Sequence, residues 1–212
     1  MTRLTKEQLQ RTLVDVRAAY RLLYYYQDRV LGTVQYIVDR LGLSYAGGWS
    51  SFSNVAPRNG KGSLDNWAWD WLNMYHYEFH LGSREIDGHR IAVSVILQSD
   101  TGFYDQPTAE PTNPATFASV EASVTRLQFM IGRDLWHPAV AAEYAKTRSK
   151  ACDDYVILEG QMDGKSGTLI VKSFLLEEFV DEITIRERLI EVTNYCNTHG
   201  IPELALASST GM

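Results

Sequence analysis

The sequence predicts an α+β protein: a long N-terminal helix, a mainly antiparallel sheet of about five strands, and a C-terminal helix packed on that sheet. Three observations carry the expectation. Apolar residues recur at three- and four-residue spacing from Leu9 to Leu41 and again from Ile185 to Cys196, the period of a helix with a buried stripe. Between these stretches, short runs rich in β-branched and aromatic residues are bounded by Gly, Asp, Asn and Ser, as strands are. The resulting order is helix, hairpin, strand, short helix, strand pair, helix, which suits an antiparallel sheet with helices on one face.

The first helix opens at Thr5, which can form a capping box with Gln8, and closes at Gly42, a fitting residue for the left-handed turn after a helix. Its length of about 36 residues corresponds to roughly 54 Å at 1.5 Å per residue. A helix that long either kinks near Gly32 or reaches a partner. Tyr24, Tyr25 and Tyr26 occupy successive positions about 100° apart, so at least one must be exposed or at an interface. Together with Val30 and Val34 they are the candidate interface residues, for a protein partner or a homodimer.

Residues 43–66 are rich in Gly, Ser and Asn and read as a loop. Within them RNGKG, 58–62, lacks the spacing of a phosphate-binding P-loop and reads as a glycine turn. The run WAWDWLNMYHYEFHLG, 67–82, then splits at a period of two into an apolar row (Tyr75, Tyr77, Phe79, Leu81) and a polar row (His76, Glu78, His80). Paired with IAVSVILQ across Asp87-Gly88 it forms a hairpin. A two-residue Asp87-Gly88 turn would set Glu78 opposite Leu97 and His80 opposite Val95, mixing the rows. A three-residue loop with Gly88 left-handed sets Tyr77 opposite Leu97, Phe79 opposite Val95 and His80 opposite Ser94, and is the register that separates the faces.

TGFYDQPTAEPTNPA, 101–115, holds three of the six prolines and reads as a surface excursion. SVTRLQFMIG is the next strand, and a short helix is expected from Pro138. YVILEG and GTLIVKSFLL flank MDGKSG as a strand pair. Thr184 with Glu187 offers a capping box for the last helix, which runs to Gly200 with Pro202 beyond. The organisation expected is one domain over 1–204, with the helix of 1–42 protruding or oligomerising and a loose tail over 205–212.

Function is bounded by composition first. A net charge of −6 argues against a chain built to wrap nucleic acid, whose phosphates call for clustered Lys and Arg. The only basic grouping is Lys146, Arg148 and Lys150 with Arg126 and Arg133 upstream, which leaves room for a local patch. No apolar run reaches the length of a membrane span and no leader is evident, so a cytoplasmic location is expected. Cys152 and Cys196, with no CxxC, suggest neither a disulfide framework nor a cysteine zinc site.

His76, Glu78 and His80 at i, i+2 and i+4 place two imidazoles and a carboxylate on one strand face, about 6 to 7 Å apart at Cα. That set could hold a divalent transition metal with a position open for water. Alternation on any half-exposed strand also produces such a row without a metal, and a hydrogen-bonded or solvated polar face is the expected outcome. Trp67 and Trp69 are candidate ligand-contacting aromatics, although core packing is the commoner use of such residues. No nucleophile with a base stands out, so no catalytic residue is assigned. The expected function is a non-enzymatic protein-interaction module, of adaptor or chaperone type. A metal-dependent hydrolase or nuclease using His76, Glu78 and His80, and a small-ligand-binding protein, are the alternatives.

Overall fold

The computed structural model describes residues 5–50, 76–103, 117–137 and 153–207. The chain divides into two units, Met1–Tyr36 and Ile37–Met212. Helix α1 (Lys6–Leu41) runs unbroken through Gly32. Its capping box forms as the sequence suggests: Thr5 N donates to Gln8 Oε1 at 2.8 Å and Gln8 N to Thr5 Oγ1 at 3.2 Å. At the other end Gly42, at φ +62°, lets its N–H reach Asp39 O while Leu43 N reaches Val38 O, the paired bonds of a Schellman turn.

The second unit is built on a six-stranded sheet: β1 (Gly47–Ser50), β2 (His76–Ile86), β3 (His89–Gln98), β4 (Arg126–Arg133), β5 (Val156–Met162) and β6 (Lys165–Leu175). The spatial order is β1-β2-β3-β4-β6-β5 and every neighbouring pair is antiparallel. The sixth strand, beyond the five expected, is β1. Its sequence GGWS shows no alternation, and it is recruited by pairing with residues 77–80 of β2.

Residues opposite one another in an antiparallel ladder share a face. One face carries Phe79, Val95, Leu127, Phe129, Ile170 and Phe174, and α2 (Glu182–Thr198) lies on it: Arg188 sits over the Phe174 ring and Tyr195 stacks on Tyr155 at 3.7 Å. The N-cap of α2 is Asp181, three residues before the Thr184 expected from the sequence. Thr184 is instead the reciprocal partner, its N–H donating to Asp181 Oδ1 at 2.8 Å and its hydroxyl oxygen accepting from Asp181 N at 3.0 Å. The helix ends at a left-handed Gly200, where Ile201 N bonds Cys196 O. Beyond it the chain is held at least to Ala207, whose N–H donates to Arg40 O at 2.7 Å.

The opposite face is also buried, contrary to the expected one-sided cover. Ala92, Ile96, Met130, Leu169 and Val171 pack there with Leu135 and Trp136 from the segment after β4. That segment crosses directly over Gly132 and Gly167. A Cβ on Gly167 would stand 2.5 Å from Arg133 O, and one on Gly132 would strike Trp136, so only glycine admits the crossing. Strand β3 accordingly is buried along IAVSVILQ without interruption, the pattern of a strand covered on both sides.

Candidate protein interface and the buried polar face

The hairpin β2–β3 has the register that separates the faces, but by a different device from the one expected. Asp87 and Gly88, at φ +51° and +80°, make a two-residue turn pairing Ile86 with His89. The one-residue shift enters between His80 and Ser83, where Leu81 and Gly82 oppose Val93 in a bulge. Gly82 takes φ +83°, and a Cβ there would lie 2.8 Å from Ser44 O. Beyond the bulge Tyr77 faces Leu97, Phe79 faces Val95 and His80 faces Ser94.

The polar row therefore falls on the face away from α2, where it is buried: His76, Glu78 and His80 are 3%, 1% and 6% exposed. The register extends it across the sheet through Ser94, Gln98, Arg126, Gln128 and Ser173, all buried. Gln98 Oε1 accepts from Arg126 Nε, and Gln128 Nε2 donates to Ser173 Oγ at 3.4 Å. Ser94 Oγ links two groups, accepting from Trp136 Nε1 at 2.9 Å and meeting His80 Nδ1 at 3.1 Å. Burial lowers the His80 pKa, the nearby His137 and Arg90 lower it further, and a bond with the Val93 backbone opposes them. A neutral imidazole bonded to a serine follows.

The three candidate metal ligands share one buried face. Among the described residues no set of three or more His, Cys, Asp or Glu side chains is gathered for an ion, and Nδ1 of His80 is already bonded to Ser94. On this face His80 and Trp136 meet Ser94, Arg126 bonds Gln98, and Gln128 bonds Ser173, beside the core around Trp136. The signal of this face in the sequence was the even spacing of polar residues within single strands, Ser94 with Gln98 and Arg126 with Gln128. Trp67, Trp69, the basic group Lys146 to Lys150 and the helix expected from Pro138 lie outside the described residues. Of the upstream arginines, Arg126 bonds Gln98 and Arg133 pairs with Glu203 at 2.9 Å, so neither offers a free basic surface. A cleft of about 180 Å³ lined by Lys172, Phe174, Glu178, Arg188 and Glu191 is smaller than the roughly 300–1,000 Å³ of usual ligand pockets.

The interface candidates divide by exposure. Tyr24 and Tyr25 are each 69% exposed and stand edge to face at 5.6 Å, Tyr26 is half-buried, and Val30 and Val34 are buried. The larger feature lies N-terminal to them. Leu9, Leu13, Val16, Tyr20 and Leu23 follow one another at alternating steps of four and three residues. After Gln27 the same steps continue through Val30, Val34, Ile37 and Leu41. This is the seam of a heptad pattern, the spacing by which one helix packs along another. Its later half is buried, whereas Leu9, Leu13, Val16 and Tyr20 are 47%, 44%, 40% and 69% exposed.

These features define an α+β protein with an antiparallel sheet buried on both faces and an amphipathic N-terminal helix whose first half presents an open seam. No helix among the described residues is long and apolar enough to cross a membrane. The chain belongs to the PM0109 family, which it matches over residues 6–203, a span that takes in α1 and the whole sheet. No curated protein and no solved structure matches it.

Proposed function

We propose that the chain is a non-enzymatic protein-interaction module whose docking surface is the seam of α1 from Leu9 to Leu23. One observation carries this reading: a single heptad pattern runs from Leu9 to Leu41, exposed from Leu9 to Tyr20, half-buried at Leu23 and buried at Val30, Val34, Ile37 and Leu41. Helices draw most of their stability from packing an apolar face, so about four turns of uncovered seam favour a partner that covers them. Exposed Leu22, Tyr24 and Tyr25 beside the seam widen the apolar surface on offer. The partner best suited to this geometry is itself a helix, since knobs at this spacing fit holes between the residues of a facing helix.

Site-specific photocrosslinking in cells tests the reading. A photoreactive residue at Leu13 should give a covalent protein adduct, whereas one at Arg21, exposed and off the seam, should give none. Absence of any adduct from Leu13 would refute the docking surface.

A further inference from the structure

Resting on that docking surface, we propose that the helix covering the seam is the same seam of a second copy of this chain, so that α1 forms a homodimeric coiled coil over residues 9–23. The first argument is the seam's own chemistry. Leu9, Leu13, Val16, Tyr20 and Leu23 contain no charge and no strong hydrogen-bonding group except the Tyr20 hydroxyl, so an identical seam meets apolar with apolar throughout.

Charge supplies the second argument. In paired helices the choice of partner is written in the residues flanking the seam, usually as rows of Glu or Lys that demand opposite rows. Here the flanking positions are Gln10, Thr12, Arg17, Ala19, Tyr24 and Tyr26, with one charge among six. A partner selected by opposite charge would find almost nothing to read. An identical partner meets no row of like charge, and the remaining charges, Lys6, Glu7, Arg11, Asp15, Arg21, Asp28 and Arg29, lie off the flanking positions and carry both signs.

The surface is also of limited size. Five seam residues per copy make a small interface, and interfaces below about 1,200 Å² associate weakly and with visible concentration dependence. The dimer should therefore form and dissociate across about 1 to 100 μM rather than persist at all dilutions.

The test uses the full chain. Light scattering should show a mass that rises with concentration from 24.0 kDa toward twice that value. Val16→Glu should hold the mass at 24.0 kDa throughout, and Val14→Glu, the same change at an exposed position off the seam and its flanks, should behave like the native chain. Near-UV circular dichroism guards against unfolding, and Leu13→Ala, a milder change, should shift the midpoint of association upward at least tenfold. A native chain that stays at 24.0 kDa up to about 100 μM, or a Val16→Glu chain that still dimerises, would overturn the proposal. Photocrosslinking from position 16 separates this failure from that of the underlying reading. An adduct to a second copy is the expected result. An adduct only to a different protein overturns the second copy and leaves the docking surface standing, whereas no adduct overturns both.

Discussion

Replacing Gly82 by alanine tests the account of how the hairpin sets its two faces. The residue occupies φ +83°, in the left-handed region, where a Cβ costs about 1–2 kcal/mol. Its Cβ would also stand 2.8 Å from the backbone oxygen of Ser44, a group that cannot swing aside as a side chain can. Overpacking of this kind costs typically about 1–3 kcal/mol, so Gly82→Ala should lose about 2–5 kcal/mol in all. That is a large share of a total stability of about 5–15 kcal/mol. Urea unfolding followed by circular dichroism measures it, with the slope unchanged if only the native state is affected. Deleting Gly82 is the informative companion, because the deletion closes the bulge while keeping Leu81 opposite Val93 and His80 opposite Ser94. The deletion should therefore keep the polar row on its buried face and be tolerated better than the substitution. A loss below about 0.5 kcal/mol for Gly82→Ala, the scale of ordinary surface changes, would refute the reasoning.

Other expectations concern the core and its charges. Trp136→Phe removes the indole donor to Ser94 Oγ and should cost about 1–3 kcal/mol by denaturant unfolding, because a buried polar partner is left behind. Asp134 is a pH probe. Burial raises its carboxyl pKa, but the Arg90 backbone N–H, the His89 ring at 2.6 Å and the Lys165 charge outweigh it and hold it below the ordinary value. Its contribution is then complete above the ordinary carboxylate range and is lost as the pH falls through the folded value, so the urea midpoint should drop below about pH 5 and Asp134→Asn should flatten that drop. Burial pushes the Cys196 thiol up to about 12, so in a Cys152→Ser background a thiol reagent at pH 8 should label the chain only after unfolding. Asp181→Ala should remove about 1 kcal/mol by opening the start of α2, as loss of an N-cap does.

Much of this was readable because it depends on neighbours in the chain. The capping box at Thr5 and Gln8, the Gly42 stop and the Asp-Gly hairpin are local, each formed within a few residues of backbone. The last helix was read correctly in its apolar stripe but not in its cap, since Asp181 and Thr184 both suit the position and only the geometry of the incoming chain from β6 chooses between them. The candidate site was legible in part. Residues 76, 78 and 80 do share a face, as period-two alternation requires, yet alternation is silent on whether that face meets water, metal or protein.

The sequence by itself determined the α+β class, the long amphipathic helix and the separation of His76, Glu78 and His80 from Tyr77 and Phe79. Periodicity and turn chemistry act over a few residues, so these features needed nothing from elsewhere in the chain. Tertiary structure decided the rest. Strand β1 exists because β2 offers it an edge, not because GGWS favours extension. Ser94, the partner of His80, is covered because the chain after β4 folds back over Gly132 and Gly167, bringing Trp136 to Ser94 across 42 residues of sequence. Along α1 the heptad seam is buried at Val30, Val34, Ile37 and Leu41 and exposed at Leu9, Leu13, Val16 and Tyr20. The pattern of apolar residues is identical in both halves, because a local period records which side of the helix is apolar and not which stretch of it is buried.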